Sequence, residues 1–503
     1  MFLFLFTIFS VFASPLDDIR TLSDFSPRVA GTVGGAQAQS WALGRLAEEG
    51  YRARLTQGPL GARSAVACQR GRGPAVWLIA HSDTVAEETP GVIDNAAGVA
   101  ILLEVAGRIQ GQSLRTRACF AVTDGEERGL HGARVLANSL SGDDTPSLVI
   151  ALELLGQGEV VAMGLGDSWG YEGLSWLSKN GVSLPYDYRV YSTLFPSQER
   201  SDHRPFAELG IPSLLIMGRS PTGIYWPYHT SQDGYKNLQP DTITEAVDIL
   251  ERLLKSGPPA PSKDPAFELP LLPIVIPGEV TWAIVGLGIL SGIFVGFRHW
   301  KQSFLGLGVA ILATGVGWMA GSLTGFGKPI DAALSGPVML AWSIAAFAVL
   351  MNAPKQNHGI EGGALASSWL AIGVATVHPL LALPWAITAL SLASSRRFWP
   401  SMLLILPFSL WVCSGETWRE FMFHGLLPPE LIWWMPATCL AIWPIACAIM
   451  SIPRQRSPLR DLLIAIAMSG VILFGFFSEP YSEEFFERTE LTPPLVPIRD
   501  TVD

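Results

Sequence analysis

The stretch AVWLIAHSDTVAEETPGVIDNAAG, Ala75 to Gly98, reads as a buried strand that ends in polar residues and gives way to a helix. Ala75–Ala80 is a short apolar run with Gly and Pro ahead of it, the pattern of a strand covered on both faces. His81 then emerges at the strand's C-terminal end, where open α/β sheets place their ligands. Side chains alternate along a strand, so His81 and Asp83 share a face and Asp83 can hold the second imidazole nitrogen of His81. Asp94, ahead of Asn-Ala-Ala-Gly, adds a carboxylate at a helix start. A histidine with its orienting partner and a nearby carboxylate are what a metal site requires.

Outward from this stretch, strand-like and helix-like runs alternate. Helical patterns at Ala38–Glu49, Gly98–Gln110, Gly132–Ser139, Gly170–Asn180 and Thr242–Lys255 separate strands around Trp77, Ala118–Thr123, Leu148–Leu152, Val160–Met163 and Ser213–Ile216. The alternation predicts an α/β fold, a mostly parallel mixed sheet with helices on both faces, over residues 15–255. Before it, MFLFLFTIFSVFASP (signal peptide 1–14) has the small-residue end of a cleavage site, though its lack of Lys and Arg also fits an uncleaved anchor. After it, the Pro-rich linker 256–278 cannot form regular helix and marks an abrupt change to apolar sequence. Cys68 and Cys119, each in an apolar run, fit either a disulfide or two buried thiols.

Further donors follow the other strands: Glu126 and Glu127 after ACFAVTDG, Glu153 after LVIAL, and His229 after GIYWPY. Together His81, Asp94, Glu127, Glu153 and His229 suit a pair of Zn²⁺ ions sharing one carboxylate. Glu126, beside Glu127 on a turn, is then free to act as a general base on water. Any one of these histidines alone would pass for a structural residue, and Glu126-Glu127 alone for a solvated helix start; the combination gives them meaning. Asp202 and His203, in ERSDHRPF, fit a substrate or loop-ordering role, and Tyr225 and Tyr228 fit a pocket wall or packing beneath the His229 loop.

HSD, GVIDNAAG, DGEE, ALELLG, SDHRPF and YHTSQD, in this order and spacing, resemble the M28 family of zinc aminopeptidases and carboxypeptidases. The resemblance covers Asp18 to Leu254. It implies that Asp94 bridges two zinc ions, that His81 and Glu153 complete one site and Glu127 and His229 the other, and that Glu126 is the base, with Asp83 behind His81. The family often has Asp where this chain has Glu153. Glutaminyl cyclases of the same fold resemble the chain around DHRPF and YHTSQDGYKNL, but they work with one zinc and usually lack the Asp-Asn-Ala-x-Gly form, so the intact DNAAG favours peptide hydrolysis. A transport or receptor protein that uses the fold as a binding module is the rival from another class.

Residues 279–478 read as an all-α transmembrane domain of about eight helices, followed by an acidic exported tail, 479–503. The runs are Val280–Phe297, Ser303–Leu323, Pro337–Ala353, Ser401–Cys413, Leu431–Met450 and Leu462–Phe477, with Gly363–Ser394 counted as two helices because that choice keeps Arg396, Arg397 and Arg454 inside. The implied partners are a peptide and the lipid bilayer, with the 15–255 domain on the extracytoplasmic side. With a net charge of −10 and no basic stripe along the sequence, nucleic acid is not among them.

Overall fold

The computed structural model describes residues 14–323 and 359–395, apart from 72–74, 87, 141–144, 166–168, 186–187, 190–191, 193–200, 221–224, 226, 270–273 and 377. The expected signal peptide, the spans at 337–353 and beyond residue 400, the arginines after residue 395 and the C-terminal tail lie outside the described residues.

The chain opens with α1 (Pro15–Asp24) and α2 (Val33–Glu48), whose first turns are capped by the hydroxyls of Ser14 and Thr32. A hairpin of β1 (Arg54–Gln57) and β2 (Arg63–Cys68) precedes β3 (Ala75–His81), α3 (Ala97–Ile109), β4 (Arg117–Thr123), α4 (His131–Ser139) and β5 (Pro146–Glu153). Then follow β6 (Glu159–Met163), α5 (Tyr171–Lys179), the short α6 (Arg204–Glu208), β7 (Ser213–Arg219) and α7 (Pro240–Ser256). The seven strands lie in the order β1-β2-β4-β3-β5-β7-β6. The expected parallel character is confined to the centre: β4, β3, β5 and β7 are mutually parallel, whereas β1, β2 and β6 pair antiparallel at the edges.

Alternation along the central strands builds two cores. Val76, Leu78 and Ala80 of β3, with Phe120 and Ile150, face α1, α2, α3 and α7, while Trp77 and Ile79, with Cys119 and Val149, face Leu136 of α4 and Phe206 of α6. Helix α3 is apolar nearly all round and accordingly buried, from Ala97 to Ile109. Because α3 and α4 cover opposite faces, β3 and β5 lie at a switch in the direction of the connections, and a crevice opens beyond their C-terminal ends. His81 and Glu153 are the last residues of those two strands.

Cys68 and Cys119 face each other across the β2–β4 ladder and form a disulfide, resolving the two possibilities left by the sequence. Arg28, completely buried, points its guanidinium at four backbone carbonyls: Ser82 (2.7 Å), Leu22 (3.2 Å), Pro90 (2.9 Å) and Gly91 (2.8 Å). It ties the α1–α2 turn to both ends of the HSD-to-DNAAG loop. Burial lowers its pKa to about 10, so the group remains cationic at neutral pH.

Beyond the linker, α8 (Gly278–Gly296) continues through a 3₁₀ turn at Phe297–His299 into α9 (Trp300–Leu323), so the two runs read as separate spans, Val280–Phe297 and Ser303–Leu323, follow one another without an intervening loop. Two further helices, α10 (Gly359–Ala375) and α11 (Pro379–Ser395), occupy the ambiguous stretch, which breaks before Pro379 as the two-helix reading requires. Helix α8 meets them through glycines spaced four apart: a methyl group on Gly288 would stand 2.2 Å from the Ala386 carbonyl oxygen, and one on Gly292 1.9 Å from Ser368 Oγ. Among the described residues one helical stretch, Gly278–Val309, is long and apolar enough by itself to cross a membrane.

Replacing Arg28 with Met, which fills similar space but donates nothing, leaves four carbonyls with a lost donor. The expected loss is about 3 kcal/mol of stability, read as a lower denaturant midpoint by tryptophan fluorescence. Arg28→Lys should recover part of it.

Candidate metal centre

The centre is assembled from the ends of parallel strands and the turns that follow them. β3 ends in His81 and β5 in Glu153, and Glu126 and Glu127 follow the turn that leaves β4. Asp94 comes from the turn Val92–Ala96 at the head of α3, where Asp94 (φ −114°) and Asn95 (φ −140°) depart from helical backbone. His229 arrives from the loop before α7 and holds a left-handed backbone, φ 58°. Gly125 (φ 77°) and Leu154 (φ 48°), adjoining Glu126 and Glu153, share that conformation. Strained or glycine-dependent backbone thus occurs at or beside His229, Glu153 and Glu126, as is common where geometry serves chemistry.

Two sets of side chains converge. His81 Nε2 is 3.3 Å from Asp94 Oδ1 and 3.3 Å from Glu153 Oε1. His229 Nε2 is 3.4 Å from Asp94 Oδ2 and 3.0 Å from Glu127 Oε2. His81, Asp94 and Glu153 form one group with metal-ligand spacing and Asp94, Glu127 and His229 another, so Asp94 belongs to both and turns one oxygen to each. All five ligands expected from the sequence are brought together. Glu126 also comes within such spacing of His81 and Glu127, but it belongs to neither group that contains Asp94.

Asp83 stands behind His81, though not only as expected. His81 Nδ1 lies 3.2 Å from the Asp83 backbone carbonyl and 3.6 Å from its carboxylate. The carboxylate instead accepts the backbone N–H groups of Glu126 (3.1 Å) and Glu127 (3.2 Å), so one residue positions a histidine and both glutamates. Asp202 accepts a short hydrogen bond from Thr123 Oγ1 at the end of β4, and the neighbouring Ser201 donates to Glu153 Oε2 at 3.0 Å. His203 is buried beside Gly164, where a methyl group would stand 2.6 Å from His203 Nε2. Tyr228 stacks on the His229 ring with centroids 3.7 Å apart. Tyr225 is buried and donates to Asp233 at 2.8 Å.

Asp233 is the supporting residue that sequence reasoning missed, although YHTSQD contains it. Its two oxygens accept the N–H groups of Ile93 (2.9 Å) and Asp94 (3.0 Å), clamping the turn that carries Asp94. Asn95 donates to the Leu152 carbonyl at 2.7 Å, and Gly98 leaves room for it: a methyl group there would stand 2.1 Å from Asn95 Oδ1. The motif D-N-A-A-G carried this signal, since an amide and a glycine three residues on are what a tight helix entry needs.

Charge crowding dominates the electrostatics. Burial, reinforced by neighbouring carboxylates, pushes Glu126 and Glu127 well above the usual carboxylate range. Burial likewise raises Asp202 to about 7, and burial with the Asp94 charge raises Asp233 to about 6. Burial would lower His81, but Glu153, Asp83 and Asp94 override it and hold the imidazole well above its ordinary value. Burial lowers His229.

Residues 65–254 match the model of peptidase family M28. The matched segment contains every metal-binding candidate described above. A vacuolar membrane protease of Candida albicans is 26% identical over 267 residues, covering 49% of this chain and 31% of that protein. Aminopeptidase YwaD of Bacillus subtilis is 27% identical over 190 residues, covering 35% of this chain and 39% of its own length. The chain therefore spans well under half of these curated relatives. Among solved structures, a glutaminyl cyclase of Bacteroides thetaiotaomicron aligns at 17% identity and TM-score 0.42, covering 48% of this chain and 97% of that one. The LapA aminopeptidase of Legionella pneumophila aligns at 18% identity and TM-score 0.41, covering 48% and 68%.

Asp233→Asn puts an amide N–H against one of the two backbone donors it now accepts. Metal affinity, followed by competition with a chromogenic chelator, is expected to fall roughly 10–100-fold, with Tyr225→Phe causing a smaller loss.

Proposed function

We propose that residues 15–255 form a dizinc exopeptidase, an aminopeptidase, held to a membrane by the helices that follow. The observation that carries this reading is the sharing of Asp94 between two histidine-carboxylate sets. The donor set fits a metal: Asp94 Oδ2 and Glu127 Oε1 are buried without a hydrogen-bond partner, and carboxylates this close favour a multivalent cation. His81, Glu153 and Asp94 would hold one zinc ion, and Asp94, Glu127 and His229 the other. When bound, zinc supplies Lewis-acid polarisation and neutralises developing negative charge.

The protein's own groups then divide the work. Glu126, beside the donors but outside both sets that share Asp94, takes a proton from water on its carboxylate and returns it to the nitrogen of the departing amine. Burial and the neighbouring carboxylates raise its proton affinity, which suits the uptake of that proton. Asp83 fixes the peptide groups of both Glu126 and Glu127, leaving the Glu127 carboxylate to the metal set and the Glu126 carboxylate to the proton transfers. Asp233 and Asn95 keep Asp94 in its shared orientation. Both zinc sets contain Asp94, a donor arrangement that favours hydrolysis over the single-zinc cyclisation of N-terminal glutamine.

Support for the membrane anchor comes from α8 and the start of α9, where Trp282, Leu287, Leu290, Phe294 and Phe304 are exposed and apolar. The disulfide between Cys68 and Cys119 supports an oxidising, extracytoplasmic location for the catalytic domain.

The test uses the full chain in neutral detergent. Elemental analysis should give two zinc ions per chain, and aminoacyl reporters should be cleaved. Glu126→Gln should keep both ions while turnover falls on the order of 10²–10⁴-fold. One zinc with cyclisation of N-terminal glutamine would replace the reading with a cyclase, and zinc without any turnover would leave a binding module. Chelation should abolish cleavage in the wild-type chain, and added zinc should restore it.

A further inference from the structure

At the end of the sheet opposite the metal centre, the fold gathers arginines. A concavity of about 840 Å³ is bounded by Arg52 and Arg54 at β1, Arg70 after β2, and Arg115 and Arg117 at the start of β4. Its lining includes the disulfide residue Cys68 and Trp77, and among the described residues it contains no aspartate or glutamate. Arg117 opens β4 level with Ala75, whereas His81 and Thr123 close the same pair of strands. Six steps of about 3.3 Å therefore separate the two ends by roughly 20 Å.

The sequence shows no basic stripe because these residues come from three separate segments. Arg45, Arg108, Arg134 and Arg204 all pair with carboxylates. Among the described residues Arg52, Arg54, Arg70 and Arg115 make no ion pair, although the chain carries a net charge of −10. Unpaired guanidinium groups around a concavity match phosphate oxygens, which they bind in forked pairs.

The path of the chain indicates where such a phosphate would come from. Helix α7 ends beside the cluster: a methyl group on Gly257 would stand 3.3 Å from Arg115 Cβ. The linker then bridges Trp169 at Ser262, and the Trp169 indole donates to the Ser213 carbonyl at the start of β7, on this same end of the sheet. Helix α8 begins there, with Thr281 Oγ1 donating to the Pro265 carbonyl at 2.9 Å. The start of the candidate membrane helix and the arginines therefore lie at the same end of the sheet.

We infer that the arginine concavity binds the phosphate of an anionic phospholipid head group, seating this face on the bilayer and turning the metal centre away from it. The inference rests on the membrane-anchored reading above. A concavity of this size suits a head group better than a duplex, and the chain's overall negative charge disfavours a long polyanion.

The full chain in dodecyl maltoside would be titrated with dihexanoyl phosphatidylglycerol, dihexanoyl phosphatidylcholine, inorganic phosphate and a short DNA duplex. A variant combining Arg54→Gln, Arg70→Gln and Arg115→Gln, all exposed positions, would be compared, with unchanged aminoacyl-reporter turnover showing that it folds. The expected result is at least tenfold preference for phosphatidylglycerol over phosphatidylcholine, lost in the variant and weakened by salt. Equal binding of inorganic phosphate, tighter binding of the duplex, or no preference among the lipids would each overturn the assignment. Partition of the chain into the aqueous phase of Triton X-114 would overturn the membrane reading and the inference together. Partition into detergent without phosphatidylglycerol preference would overturn the inference alone.

Discussion

Four carboxylates and two imidazoles converge in a largely buried crevice where water screens them poorly, and that crowding is the constraint on which the rest of the structure depends. Left to themselves, Asp94, Glu126, Glu127 and Glu153 would repel or take up protons, as the upward shift of Glu126 and Glu127 registers. Holding them together demands a rigid frame. The four parallel central strands supply it, since each is buried on both faces and delivers its last residue to one edge.

Around that frame, backbone groups do much of the positioning. Asp83 and Asp233 each use both carboxylate oxygens on adjacent peptide N–H groups, the first fixing Glu126 and Glu127, the second fixing Ile93 and Asp94. Arg28 does the reverse, offering a buried cation to peptide carbonyls of the loop that joins His81 to Asp94. Carboxylates hold donors and a guanidinium holds acceptors, so the loop's polar backbone is satisfied away from solvent. Each of these residues touches peptide groups and leaves the donor atoms of the centre free for a ligand.

Much of the centre was legible because its donors lie in short motifs tied to strand ends. H-x-D at His81 and D-N-A-A-G at Asp94 carry their geometry in their spacing, and alternation along β3 predicts which side chains share a face. What could not be read depends on contacts between distant segments. Arg28 precedes Pro90 by 62 positions and looks in sequence like any surface arginine. Cys68 and Cys119 read as strand residues, and only the β2–β4 register brings them face to face. The edge strands escaped for a related reason: the directions of β1, β2 and β6 are set by which segments they pair with, and that pairing joins separate parts of the chain. In α8 the glycines at 288, 292 and 296 read as part of an apolar run, and the backbones packed against them give the spacing its meaning.

Asp94 has a thermodynamic consequence that follows from its two oxygens pointing into different donor sets. A ligand entering one set orders the carboxylate for the other and also adds charge next to it. The two occupancies are therefore linked, and linkage is reciprocal: whatever the first ion does to the affinity for the second, the second does to the first. Asp233, by limiting how far Asp94 can turn, sets how much of that coupling is prepaid in the fold. A binding isotherm measured at such a centre describes the pair and cannot be divided into two intrinsic constants.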